Sequence, residues 1–190
     1  MVFPIVAYGH PILRKVAEDI DKDYPGLNQL IEDMFETMYA SNGVGLAAPQ
    51  VNRSIRLFVI DTTPYKEEYP GEENMKRVFI NARIVEETGE EWSFNEGCLS
   101  IPQIREDVIR KPNVHIKYYD ENFEFHDEVI SGALGRVIQH EYDHLDGVLF
   151  VDHINPLKRM MLKRKLSDIT KGIVNTDYKM IFPDLKKKNS

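Results

Sequence analysis

The chain has 190 residues, 42% hydrophobic and 29% charged, which is the composition of an ordinary globular protein with room for one proper core. It has no apolar run of the roughly 18 residues a membrane helix needs, "MVFPIVAYGHPILRKV" shows no basic stretch followed by an apolar core and a small-residue cleavage site, so a signal peptide is not expected, and its single cysteine, Cys98, excludes an internal disulfide and fits a reducing cytoplasm. The net charge of −7 argues against nucleic acid as the main ligand.

The first clear element is a helix over "PGLNQLIEDMFETMYASNG" (Pro25–Gly43). Leu27, Leu30, Ile31, Met34, Phe35 and Met38 fall on one face, and Gly43 suits the residue just past the end. The stretch "GVGLAAPQ" (Gly43–Gln50) is glycine-rich and small, open to close approach by another chain or simply a turn. Ile55–Ile60 and Arg77–Val85 read as strands, and the acidic "DTTPYKEEYPGEEN" between them as a loop. "NEGCLS" (Asn95–Ser100) looks extended. "DVIRKPNVHIKYYDENFEFHDEVI" reads as strands around turns at Lys111–Asn113 and Asp120–Asn122. A second helix runs from about Gly132 to Leu145 and stops at Asp146-Gly147. "VLFVDHI" (Val148–Ile154) is expected as a short strand. A third helix then starts with Asn155 as N-cap and Pro156 at its first position.

These elements give an α+β fold class: antiparallel strands packed around the central second helix, with an N-terminal and a C-terminal helix. A single domain is expected over 1–171, with a basic, partly ordered tail over 172–190. From Pro156 onward ten Lys/Arg face three Asp, a net of +7, which leaves −14 for residues 1–155. That basic end is either a solvated face or a handle for an acidic surface.

The second helix carries "QHEYDH", Gln139 to His144. His140 and His144 are four apart, on one helix face, and can hold one metal ion. Paired core histidines are the plainer alternative. A catalytic zinc-type site takes a third protein ligand and keeps one position open. Downstream, Asp146, Asp152 and His153 fit no extended motif. Upstream, Cys98 offers a thiolate, although a lone cysteine is also a common core residue.

Three segments together, "GVGLAAPQ", "EGCLS" (Glu96–Ser100) and "QHEYDHLDG" (Gln139–Gly147), resemble peptide deformylases in order and spacing, across about residues 4 to 165. The resemblance implies that Cys98, His140 and His144 hold the metal, with Fe²⁺ as the native ion and Zn²⁺, Ni²⁺ or Co²⁺ able to occupy the site. It implies that water activated there attacks the formyl group of N-formylmethionine on a nascent polypeptide. Glu141 is then the general base, and the Gln50 amide and Leu99 N–H donate to the oxyanion. Gly45 is expected to bind the peptide backbone. Phe94, Leu99, Ala133 and Val137 are expected to wall the methionine slot, with Arg105 near the peptide. The family often has alanine where Gly135 stands, which bears on the slot's shape. Nascent chains as substrate would make the basic third helix a ribosome contact; no membrane partner is expected, and the cytoplasm is the expected compartment. A zinc peptidase of broader specificity and a non-catalytic zinc module are the rival readings.

Overall fold

The computed structural model of the protein describes residues 1–68, 70 and 75–183. In chain order its elements are β1 (Ile5–Val6), α1 (Leu27–Ala40), β2 (Gly45–Ala47), β3 (Leu57–Asp61), β4 (Lys76–Thr88) and β5 (Trp92–Cys98). Then follow β6 (Ile101–Arg110), β7 (Asn113–Tyr119), β8 (Phe125–Ile130), α2 (Gly132–Leu145), α3 (Pro156–Thr170) and β9 (Met180–Ile181). The α+β architecture is the expected one, with helices around antiparallel sheets.

The main sheet has five antiparallel strands in the order β2-β3-β4-β7-β8. Its two faces are read directly from the two-residue period of β3. Leu57 and Val59 point to the core shared with α1, while Phe58 and Ile60 point to the core shared with α2. The same alternation in β4 sends Val78 and Ile80 to α1 and Phe79 to α2. A bulge then shifts the register between Ile80 and Arg83, and Ala82 lands on the α2 side. Asn81 takes the left-handed conformation there (φ 53°), and its side chain both accepts from Ile20 N (2.9 Å) and donates to Ile20 O (2.7 Å).

Helix α1 buries all six residues of its expected stripe. Its end differs from expectation by one residue. Asn42, not Gly43, occupies the left-handed position (φ 56°), and Gly43 N donates back to Met38 O at 2.9 Å. Asparagine tolerates this conformation better than other side chains, so the glycine is not needed for the turn.

The hairpin β5–β6 forms a second sheet. Ile101, Ile104 and Val108 of β6 join Leu149, Phe150, Val151 and Ile154, and Leu166 and Ile169 of α3, in a third core. The expected strand over Val148–Ile154 is not formed; a single 3-10 turn, Phe150–Asp152, stands in its place. Asp152 accepts from Leu149 N at 2.9 Å and closes that turn, while also pairing with Arg14 and Arg159. Leu149, Phe150, Val151 and Ile154 are all buried, and a run buried on every side has no alternation to mark it as a strand.

Beyond α3 the chain returns across the body. Met180 and Ile181 pair in parallel with Ile5 and Val6 of β1, and Ile5 N donates to Lys179 O at 2.8 Å. The final lysines, at 186–188, lie outside the described residues, as does part of the acidic loop after β3. Among the described residues, no helix is long and apolar enough to cross a membrane.

Candidate active site

The site grows from the way α2 is buried. Leu134, Val137, Ile138 and Leu145 pack onto the five-stranded sheet. The remaining face of the helix is also buried, yet it carries Arg136, Gln139, His140, Glu141 and His144. Buried polar groups are costly unless bonded. Each of these residues therefore calls for an account.

His140 and His144 face the end of β5, where the register shift after Gly97 turns the chain and presents Cys98. Cys98 Sγ lies 3.3 Å from His144 Nε2, and one ligand atom from each of Cys98, His140 and His144 falls within 4.8 Å of the others. These three residues can hold one metal ion. Of the candidates upstream and downstream of the two histidines, Cys98 is the one that joins the cluster; Asp146, Asp152 and His153 do not.

Electrostatics favour a thiolate. Burial opposes ionisation of Cys98, but the neighbouring His144 and His140 outweigh it and draw the thiol down to about 5. Burial likewise opposes a charged His140, and Cys98 and Glu96 reverse that, raising it well above its ordinary value. His140 Nδ1 is 3.0 Å from Glu96 Oε2, which fixes the ring and leaves Nε2 for the cluster.

Glu96 holds more than this histidine. Its carboxylate accepts from Arg110 at 2.8 and 3.1 Å and from Arg136 at 3.2 Å. Arg110 also donates to Asp143 (2.8 Å), which faces His153. Arg136 donates to Val108 O and Trp92 O, and its guanidinium lies 4.6 Å from the Trp92 ring centroid. Burial alone would push Glu96 up; the bonds from His140 and Arg110 win and hold it well below the usual carboxylate range.

Glu141 has a different environment. It is buried, its Oε2 meets no hydrogen-bond partner among the described residues, and burial raises it to about 7 against the pull of His140 and His144. Gly45 backs directly onto this carboxylate: a Cβ there would collide with Glu141 Oε1. The glycine is required by that close approach. Gln50 is 2% exposed. Its Oε1 accepts from Ala47 N (2.9 Å), so its Nε2 donates toward Cys98 Sγ (3.4 Å) and Ser100 Oγ (3.2 Å).

A cleft of about 470 Å³ opens beside these groups. Gly45, Gln50, Phe94, Leu99, Arg105 and Val137 all line it. Ala133 does not: it is fully buried and lies outside the cleft lining. It shares a helix face with His140, but at about 1.5 Å per residue it sits roughly 10 Å further along the axis. Gly135 also faces elsewhere. A Cβ there would lie 3.0 Å from Ile130 O and 3.3 Å from Pro112 O, so this residue does not shape the slot. Arg105 stands at the rim with its guanidinium on Asn95 Oδ1 (2.8 Å) and Asn95 O (2.6 Å).

Sequence reading missed Glu96 as an anchor, together with Arg110, Arg136 and Tyr65. Tyr65 lines the cleft and meets Phe94 edge-on at 6.2 Å. A signal for Glu96 was present in its place beside Gly97 and Cys98, two residues from a candidate ligand.

Comparison with known proteins agrees with this geometry. The family model described as polypeptide deformylase matches residues 2–160. Peptide deformylases from Flavobacterium johnsoniae and Christiangramia forsetii are 56% and 54% identical to the chain, each covering 98% of it and 99% of the relative. Among solved structures, the peptide deformylase of Legionella pneumophila superposes with a TM-score of 0.78 at 39% identity, covering 91% of this chain and 98% of the other. That of Plasmodium falciparum gives 0.80 at 38% identity, covering 88% and 95%.

Proposed function

The chain belongs to the polypeptide deformylase family, and on that premise we propose that Cys98, His140 and His144 hold its metal ion while Glu141 moves the proton. The protein is a metal-dependent hydrolase that removes the N-formyl group from the formylmethionine of new polypeptides. What carries the assignment of residues is one arrangement: the Cys98 sulfur and two imidazoles converge beside a buried carboxylate whose Oε2 meets no hydrogen-bond partner among the described residues. A divalent ion bound there supplies Lewis acidity, polarising a carbonyl and lowering the pKa of water towards about 7.

The residues of this chain do the rest. Glu141 accepts the proton of the attacking water and returns it to the amine as the formyl C–N bond breaks and formate leaves. Gln50 Nε2 and Leu99 N–H donate to the developing oxyanion. Gly45 offers backbone hydrogen bonds to the peptide, while Phe94, Leu99 and Val137 enclose the methionine side chain beside Arg105. Replacing Gln50 by alanine is expected to lower kcat by about 10²-fold, since one such donor is worth about 3 kcal/mol. Formate release from a formyl-methionyl tripeptide reads this, and an unchanged kcat would remove Gln50 from the oxyanion site.

Fe²⁺ is the proposed resident ion, with Zn²⁺, Ni²⁺ or Co²⁺ as substitutes, since thiolate and imidazole donors suit all of these. An iron-loaded thiolate site makes Cys98 the point of oxygen damage. We place the enzyme in the cytoplasm, where a free Cys98 stays reduced.

We also propose that α3 contacts the ribosome. It buries Leu166 and Ile169 and leaves Lys163, Arg164 and Lys165 exposed. Changing these three to glutamate is expected to abolish co-sedimentation with ribosomes while activity on a free tripeptide persists. Unchanged co-sedimentation would end this part of the reading.

A further inference from the structure

The segment after α3 lies beyond the residues the family model matches, and it reaches the active site. Asn175 to Tyr178 form one wall of the cleft. The segment is tied down at several points. Gln103 Nε2 donates to Asn175 O (2.8 Å), Thr176 Oγ1 donates to Tyr178 O (2.8 Å), and the following residues pair with β1.

Within it, Tyr178 has one polar contact with the catalytic machinery: its hydroxyl donates to Leu99 O at 2.8 Å. Leu99 sits in the short turn between Cys98 and β6. Three anchors hold this turn. Gln50 Nε2 reaches Ser100 Oγ, Tyr8 N donates to Ser100 O (2.8 Å), and Tyr178 takes the Leu99 carbonyl. The strand region that supplies Tyr8 also pairs with β9, so the turn and the returning segment share one support. The Leu99 side chain packs closely on Gly43, where a Cβ would lie 2.8 Å from its Cδ1. The side chain of Leu99 and its carbonyl are thus held from two directions.

We propose that Tyr178 is a positioning residue for deformylation: its hydroxyl sets the Leu99 backbone so that the Leu99 N–H points into the cleft. The proposal rests on the reading of Leu99 as an oxyanion donor. The Leu99 N–H lies in the peptide unit before the carbonyl that Tyr178 holds, so the hydroxyl acts on the donor through the Leu99 backbone torsions. A donor that acts through preorganisation loses value when those torsions are freed, so the loss falls on the transition state and not on substrate binding.

Tyr178→Phe keeps the ring in its apolar setting and removes only the hydroxyl. In the metal-loaded enzyme acting on a formyl-methionyl tripeptide, kcat is expected to fall about tenfold with KM unchanged. Metal content and thermal midpoint, measured in parallel, separate this from loss of fold. Tyr178→Ala, which also removes the ring, is expected to lower kcat further and to raise KM. If Tyr178→Phe leaves kcat as it was, or raises KM alone, Tyr178 does not position Leu99. Replacing the residue-99 amide by an ester, through the α-hydroxy analogue of leucine, tests the donor reading separately. A lowered kcat for the ester with an unaffected Tyr178→Phe enzyme would overturn the positioning role alone. An unaffected ester enzyme would overturn the donor reading, and with it the reason for the Tyr178 effect.

Discussion

Glu141→Gln is expected to lower kcat for formate release by at least about 10³-fold while one metal ion per chain is retained. The size follows from the group's two tasks, taking a proton from water and giving it to the amine, each of the kind that general acid–base catalysis supplies. Retention of metal follows from geometry, because the cluster of Cys98, His140 and His144 does not include Glu141. The same substitution has a second readout in metal-stripped protein. Folding raises the Glu141 pKa from 4.5 to about 7, so the folded state holds this proton more tightly than the unfolded state. The contribution to stability is therefore fully present below about 4.5 and is lost as pH rises to about 7. The charged carboxylate then costs about 3 kcal/mol, and Glu141→Gln removes that cost. Stripped variant and wild type should approach one another near pH 5, with the variant more stable at pH 8. Equal stabilities at pH 8 would show that burial does not raise Glu141.

Glu96→Ala should unfold the enzyme more readily than any substitution of a metal ligand. The carboxylate is shared by Arg110, Arg136 and His140, and both arginines are buried. Removing one partner of a buried charge network leaves the others without compensation, at about 3–5 kcal/mol. For a chain of this length that is a fall of roughly 10 °C or more in thermal midpoint. Metal affinity should fall about 10- to 100-fold as well, because His140 loses the partner that orients its ring. The pH dependence has the opposite sign to that of Glu141. Folding lowers the Glu96 pKa below its ordinary 4.5, so its stabilisation is present above that value and is lost as acid protonates the folded carboxylate. Wild type should lose this contribution only in acid, and Glu96→Ala should lack it at every pH. A variant with wild-type midpoint and metal affinity would show that Arg110 and Arg136 are adequately held by Asp143 and the backbone carbonyls.

Helix α2 was legible because two signals of the same period coincide in it. Its apolar residues and its two histidines both recur at helical spacing, and the structure places both sets where that spacing puts them. Cys98 stood out from other candidate ligands only through resemblance. Nothing local distinguishes it from a buried cysteine, and its place beside His140 and His144 depends on where the β5–β6 hairpin meets α2. The Glu96 network was out of reach for a similar reason: Arg110 and Arg136 lie 14 and 40 residues away and meet one carboxylate only after packing. Val148–Ile154 misled because Leu149, Phe150, Val151 and Ile154 are all buried, and that pattern fits a strand or a tight turn equally well. The segment around Tyr178 reads as part of a basic tail because it runs into the lysines at 186–188. What orders it is pairing with β1, 175 residues earlier.

The central claim is that Glu141 and the cluster beside it deformylate new chains. It is tested most directly by following formate from a formyl-methionyl tripeptide, using protein purified without oxygen and loaded with Fe²⁺. Rapid release by wild type, none from an acetylated analogue and a loss of at least about 10³-fold in Glu141→Gln is the result expected here. Cleavage of internal peptide bonds in unformylated peptides, or no formate from protein that holds one metal per chain, would contradict it.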